Sequence, residues 1–163
     1  RYKYGQLVDA YSREESEIIE NIRNISAIPL SIDDSLKVEV ELEGVLYSPS
    51  SNCEISKEQL LSHSSSKIDN NKSLLFLAFQ IFSSKSDELS DLTQLQKWGF
   101  EIPITLRTDD PRQVIRWHSQ WIKKELFSDL PTNGIVAKCN CSLTKNILGV
   151  SSSSPNWALA LTR

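Results

Sequence analysis

The chain is poor in the residues that most often build covalent or metal-bound sites. Its 163 residues include no methionine, two histidines and three cysteines. The cysteines Cys53, Cys139 and Cys141 are odd in number and cannot all form intramolecular disulfides, which indicates a reducing, cytoplasmic location. We predict no metal site, because a zinc centre would need a fourth ligand and neither His63 nor His118 lies at finger-like spacing.

Several other patterns are missing. There is no run of about 18 apolar residues and no signal-peptide pattern, so we expect no membrane partner. No glycine-rich phosphate loop is found either. The formal net charge of -3 and the pI near 5.4 leave no surplus of lysine and arginine. Strong autonomous DNA binding is therefore not expected, although a local basic patch is compatible with this charge.

The composition is that of a globular domain. Hydrophobic residues make up 39% of the chain and charged residues 24%, and a chain of this length buries roughly 70% of its unfolded surface. Strand-like alternation and helix-like periodicity follow one another along the chain. We therefore expect an α+β fold, with antiparallel or mixed sheets flanked by helices. The predicted strands lie at 6–11, 36–47, 74–82, 133–139 and 157–163, and the predicted helices start at Ser12, Glu54, Ser86 and Asp110.

Local signals give these elements their expected ends. Tyr4 and Gly5 predict a hairpin turn, and Gly44 predicts a β-bulge. Gly99 is expected to end the helix from Ser86 as a C′ glycine. Asp110 is expected to cap the longest helix. The segment 74–82 is apolar on both sides and predicts a central strand, and the expected buried stripe of the longest helix is Val114, Trp117, His118, Trp121 and Ile122.

The two C-terminal strands carry the most informative pattern. Lys138 lies on an otherwise apolar strand, and its ammonium must reach water or an anion because burying it unpaired is very costly. Two interpretations stay open for it: an anion-binding lysine, or a solvated lysine at a sheet edge. The alternation of side chains predicts that segments 133–139 and 157–163 are both strands.

The order of these segments resembles the adenylation (nucleotidyltransferase) domain of NAD-dependent bacterial DNA ligases. Members of that family carry an Asp-Gly-Val-Val-x-Lys strand, a Leu-Gly turn and a Pro-Arg-Trp-Ala-Ile-Ala-Tyr-Lys-Phe strand. Similar segments occur here at 133–138, 148–149 and 155–163, and upstream at 2–30, 74–79, 98–100 and 130–131. The resemblance implies an adenylation-type fold and a role in DNA repair or replication. With the alternation of the two segments, it also implies that 133–139 and 157–163 are neighbouring strands, with Lys138 and Thr162 facing a common cleft. It also implies NAD and a divalent metal as cofactors if ligase activity holds, with nicked DNA or DNA-repair proteins as partners.

The sequence also departs from the family pattern. Asn133 replaces the aspartate of the Asp-Gly strand, Val45 replaces a glutamate expected to contact the nucleotide, and Thr162 replaces a lysine. The Lys-x-Asp-Gly motif, whose lysine forms the covalent adduct in the family, would lie shortly before Arg1 and is absent from this sequence. These replacements assign no catalytic residue to the chain.

The resemblance does imply a nucleotide-binding set, if binding is retained: Arg13, Glu43, Lys138 and Thr162. Arg13 keeps the arginine of the family's Thr-Arg-Gly-Asp loop, although it could simply pair with Glu15. Glu43 is considered as a partial substitute for the lost glutamate, two residues before Val45.

We therefore interpret residues 1–163 as a single partial adenylation-domain-like unit without the N-terminal nucleophile segment. The expected function is a degenerate DNA ligase adenylation-like domain without ligase activity on its own, acting as a binding or scaffolding module. The alternative is part of an active NAD-dependent DNA ligase whose nucleophile lies upstream of Arg1. In that case the whole enzyme would transfer adenylyl to a lysine and seal nicks.

Overall fold

The computed structural model describes residues 1–12, 18–33, 39–48, 53–54, 74–82, 84–128, 132–152 and 154–163. These residues form eight strands and four helices, and every pairing between the strands is antiparallel. This arrangement is an α+β fold, as expected. Two compact units are present: residues 1–84 with 91–103, and residues 85–90 with 104–163.

The first unit begins with a small three-stranded sheet. Its strands are β1 (Tyr2–Lys3), β2 (Gln6–Leu7) and β3 (Glu39–Val40), in the order β2-β1-β3. The predicted hairpin turn is confirmed, because Tyr4 and Gly5 have φ angles of 51° and 75°, as a two-residue hairpin turn requires. Its second strand is shorter than predicted. A short helix, α1 (Ile19–Ile22), follows.

The second sheet of this unit consists of β4 (Leu42–Ser48), β5 (Cys53–Glu54) and β6 (Leu75–Ile81), in the order β5-β4-β6. The predicted bulge is confirmed in position, because the register shifts between Glu43 and Gly44. The extra residue of the bulge is Phe79 on β6. Glu43 pairs with Gln80 and Gly44 pairs with Ala78, so Phe79 is the additional residue between these two pairs.

Two sequence predictions fail in this sheet. Among the described strands, the segment 74–82 is not central: β4 is the middle strand, and on its other side β6 meets a one-residue bridge from Leu77 to Glu101. An apolar run shows that both faces are covered, but it does not distinguish an edge from a centre. Glu54, predicted to start a helix, pairs with Tyr47 as part of β5; residues 55–61 lie outside the described part.

Helix α2 (Glu88–Lys97) ends as predicted. Gly99 has a φ of 90°, and the amide of Phe100 donates to the carbonyl oxygen of Leu95 at 3.0 Å. This is a Schellman closure, in which a left-handed glycine lets the chain turn back on the last carbonyls. Leu92 and Leu95 form its buried side.

The second unit contains α3 (Pro111–Ile122), β7 (Gly134–Lys138), α4 (Ser142–Leu148) and β8 (Ala158–Thr162). The predicted cap of α3 is confirmed, since an Asp110 carboxylate oxygen accepts a bond from the Arg112 amide at 2.9 Å. Trp121 is buried, and three other members of the expected stripe are half-buried. Ile122 is 45% exposed, so its predicted burial is wrong; it lies at the last helical position, where the chain leaves the helix.

Strands β7 and β8 form a two-stranded antiparallel ribbon, which confirms the predicted neighbours. Gly134 pairs with Thr162 and Lys138 pairs with Ala158. Paired residues share a face and faces alternate along each strand, so Lys138 and Thr162 lie on the same face, as predicted. Within the described residues, no helix has both the length and the apolar character needed to span a bilayer.

Candidate functional site

The four residues of the expected nucleotide-binding set are divided between the two units and a segment outside the described residues. Arg13 lies outside the described residues. Glu43 is in β4 of the first unit, opposite Gln80. Lys138 and Thr162 are in the second unit, where the ribbon places them on one face.

These two residues lie at opposite ends of that face. Thr162 pairs with Gly134, four positions before Lys138, which corresponds to about 13 Å at the usual rise of a strand. The carbonyl oxygen of Thr162 is 3.0 Å from Nε2 of His118. Because a carbonyl oxygen only accepts, Nε2 must carry the proton in this contact. His118 therefore contacts the end of β8 through this nitrogen, and its ring is half-buried, as expected for a packed or partly exposed neighbour.

Lys138 is held in an ion pair within the second unit. Its Nζ donates to Oε1 of Glu88 at 2.7 Å, and the two side chains are only 20% and 14% exposed. The other carboxylate oxygen of Glu88 accepts from Nζ of Lys145. One carboxylate thus lies between two ammonium groups, and charge-assisted bonds of this kind are among the stronger ones in proteins.

The chain positions Glu88 through the backbone around it. The amide of Glu88 donates to the Asn140 carbonyl oxygen at 2.9 Å, and the amide of Leu89 donates to the Asn140 side-chain oxygen at 3.0 Å. A carboxylate oxygen of Asp87 accepts from the Ser142 amide at 2.9 Å. The first turn of α2 is thereby fastened to the connection between β7 and α4, which sets Glu88 beside Lys138.

Lys145 reaches the same carboxylate from α4. Its ammonium lies 4.9 Å from the centroid of the Trp157 ring, within the range of a cation–π contact. We call Glu88, Lys138, Lys145 and Trp157 the Glu88 cluster. Its two ammonium groups and one carboxylate carry one net positive charge. Glu88 contacts both ammonium groups, and the Trp157 ring contacts that of Lys145.

Sequence reasoning missed Glu88 and Lys145. Glu88 is separated by 50 residues from Lys138 and by 57 from Lys145, so no periodic pattern links them. The available signal was Lys138 itself. Burying its ammonium unpaired is costly, so the sequence predicted contact with water or an anion, but the pattern did not identify Glu88 as that anion.

A second group of contacts surrounds Trp121. Its indole Nε1 donates to Oγ1 of Thr132 at 2.8 Å. The His118 ring stacks on it with centroids 5.7 Å apart, and the Arg163 guanidinium lies 5.4 Å from its centroid. These contacts tie α3 to the end of β8, so the indole serves as an anchor within the unit.

The cysteines supply no described metal centre. Among the residues the structure describes, no three histidine, cysteine, aspartate or glutamate side chains come together as metal ligands. Cys139 and Cys141 are free thiols. The pKa of the exposed Cys141 thiol is lowered, first by a side-chain hydrogen bond from Thr144 and then by the backbone amides of Thr144 and Leu143.

Several known proteins that resemble this chain share one name. No family model matches the chain. Curated proteins named DNA ligase match it from Pseudothermotoga lettingae (27% identical over 187 residues), Mycoplasma genitalium (26% over 180) and Cytophaga hutchinsonii (23% over 186). Each match covers 98% of this chain. They support a DNA ligase-related region.

This DNA ligase-related region is short beside its relatives. It spans 27% of the length of the first two and 28% of the third. The similarity therefore concerns about a quarter of the length of each of these relatives.

Proposed function

We propose that this chain is a degenerate DNA ligase adenylation-like domain that lacks ligase activity on its own and acts as a binding or scaffolding module. The observation that carries the proposal is the ion pair between Lys138 and Glu88. Lys138 matches the lysine of the family's Asp-Gly strand, and its ammonium is bound at 2.7 Å by a carboxylate that is itself only 14% exposed.

An occupied ammonium is a poor receptor for an anionic ligand. A nucleotide phosphate that used Lys138 would have to displace Glu88 or share the lysine with it. Each charge-assisted hydrogen bond contributes about 1.5–3 kcal/mol, which corresponds to roughly a ten- to hundredfold change in affinity. Loss of even one such bond would move a weak nucleotide complex beyond the millimolar range.

The neutral replacements support the same conclusion. Val45 lies in β4, Asn133 precedes β7 and Thr162 lies in β8. They occur on three separate elements, and each removes a charge that the family pattern places near the nucleotide. We propose that the nucleotide site has decayed as a whole.

The proposed binding partner is related to DNA. The relatives are named DNA ligase, so we propose nicked DNA or DNA-repair proteins as what this domain binds, in the cytoplasm. If nucleotide binding survives, Lys138 and Thr162 with Arg13 and Glu43 would hold it, and the chain would be part of an active NAD-dependent ligase.

A binding titration tests the decay of the site without requiring the nucleophile. NAD and AMP are titrated against the wild-type chain while amide shifts are followed by NMR. We expect no saturable binding below roughly 1 mM, equivalent to about 4 kcal/mol. The triple variant Val45→Glu, Asn133→Asp, Thr162→Lys should bind more tightly, because it restores the family's charges.

A matched control separates the site from general charge effects. It carries the same three kinds of substitution at the exposed Val150, Asn146 and Thr93, and its affinity should equal that of the wild type. Micromolar NAD binding by the wild type that Lys138→Ala abolishes would refute the decay and support the active-ligase alternative.

A further inference from the structure

We infer that the solvent side of α3 is a docking surface for the phosphodiester backbone of a nucleic-acid duplex. The side chains that would contact the phosphates are Arg112 and Arg116 of α3 and Lys123, which directly follows the helix. We call these three residues the basic face. The inference deepens the binding role proposed above and rests on it, because it names the surface and the chemistry of the partner.

The helical spacing aligns these three cations. Each residue of an α-helix turns the chain by about 100° and advances it by about 1.5 Å. Arg112, Arg116 and Lys123 therefore fall within an arc of about 40° and span about 16 Å along the axis. All three are exposed, so they form one straight row on the outside of the helix.

The row is free of opposing charge on its own helix. Residues 111–122 contain no aspartate or glutamate, and in the described part of the chain none of the three cations makes an ion pair. Within the described residues, the bond that Arg116 donates goes to the neutral side chain of Gln113, at 3.0 Å. Two carboxylates, Asp109 and Asp110, precede the helix, and that of Asp110 is engaged in the cap.

The division of charge between the two units supports a polyanionic partner. The second unit contains nine lysines and arginines against six aspartates and glutamates, a net charge of +3, whereas the first contains nine against fifteen, a net charge of -6. These values add to the -3 of the whole chain. The net charge of the whole chain is therefore negative although the second unit is basic. Neutralisation of phosphates by lysine and arginine drives sequence-independent binding to nucleic acids.

A duplex fits this surface better than an anionic membrane does. An interfacial helix must present a continuous apolar face to the bilayer. Here the two tryptophans, Trp117 and Trp121, lie on the less exposed side, and the large apolar residues exposed on the helix are Ile115 and Ile122. A phosphate backbone requires only accessible cations, and the planar guanidinium fork matches its oxygens. Such contacts position a duplex without reading its sequence.

Salt-dependent binding to DNA tests the inference. The full chain is titrated against a fluorescent duplex of about 25 base pairs, intact or nicked, between about 50 and 200 mM salt. The variant Arg112→Gln, Arg116→Gln, Lys123→Gln should bind at least about tenfold more weakly at low salt. Its slope of log K against log[salt] should be shallower by about 2.7, since each lost phosphate contact removes about 0.9.

The control variant removes the same charge from the other unit. Lys3→Gln, Arg23→Gln, Lys97→Gln changes three exposed cations of the first unit and should leave both affinity and slope close to the wild-type values. Equal losses in the two variants would overturn the inference, as would an absence of wild-type binding at low salt. Binding to anionic vesicles that requires the basic face, with DNA binding unaffected by its loss, would also overturn it. Micromolar NAD binding would instead refute the decay of the nucleotide site, so the two proposals fail separately.

Discussion

Glu88 shows how one side chain determines what a neighbouring lysine does. Its two oxygens accept from Lys138 and Lys145, and the three side chains are at most 20% exposed. Ion pairs on the surface contribute little because water and salt screen them. In this cluster water has little access, so removing the Glu88 charge would take away the carboxylate that lies between two ammonium groups.

We expect Glu88→Gln to destabilise the protein by about 2 kcal/mol, since it removes the negative charge that two poorly solvated ammonium groups share. The exposed Glu125→Gln variant carries the same chemical change and should alter stability by less than about 0.5 kcal/mol. Urea unfolding followed by circular dichroism measures both. Equal stabilities of the two variants would show that the cluster does not stabilise the fold.

At the scale of secondary-structure elements, Gly44 allows β4 and β6 to approach closely. A Cβ atom at this position would lie 2.4 Å from the end of the Phe76 ring and 2.5 Å from the Leu77 carbonyl oxygen. The bulge brings the neighbouring backbone to this position, so the space of a methyl group is already filled.

Gly44→Ala should therefore destabilise the first unit by about 2–3 kcal/mol, the upper part of the usual range of about 1–3 kcal/mol for overpacking. Phe76→Leu removes the ring end but leaves the carbonyl oxygen in place. A double-mutant cycle in urea should thus show that the two changes together cost less than their sum. Strict additivity would contradict the proposed contact.

The elements that could be predicted from sequence are those with local causes. The Tyr4–Gly5 turn, the Gly99 helix end and the Asp110 cap each depend on the backbone preferences of adjacent residues, and all three were confirmed. The pairing of β7 with β8 was predicted from the alternation of the two segments together with the arrangement that the resemblance implies.

The features that could not be predicted depend on residues distant in sequence. The edge position of β6 is decided by which strands meet it, and an apolar run is silent on that point. Likewise, Glu88 and Lys138 meet only because Asn140 and Asp87 fasten α2 to the turn after β7. A lysine pattern predicts that an anion is needed but leaves its source open.

At the scale of the whole molecule, alkaline pH should weaken the fold through Tyr2. This residue is 1% exposed, and its hydroxyl donates to the Pro29 carbonyl oxygen at 2.6 Å. Burial raises the pKa of Tyr2 well above its usual value. Because the unfolded chain loses this proton first, at about pH 10, the stabilising contribution of Tyr2 is complete below that pH and is lost as the pH rises further.

Tyr2→Phe should lower stability near neutral pH by about 1 kcal/mol through the lost hydrogen bond. Its stability should then fall less steeply than that of the wild type above about pH 10. Urea unfolding at a series of alkaline pH values gives both curves. The decline should not vanish, because burial also raises the pKa of Tyr47; parallel curves for the two proteins would exclude the role of Tyr2.

The register of β7 and β8 has a consequence for the rate at which solvent deuterium enters the backbone. The amide of Cys139 donates to the Trp157 carbonyl oxygen at 2.8 Å, and antiparallel pairs alternate between bonded and unbonded. The amides of Ala137 and Leu159 therefore point between the strands, whereas those of Val136 and Ala160 point away from them. In deuterated water the first two should retain their hydrogen much longer than the other two, although all four belong to the same short ribbon.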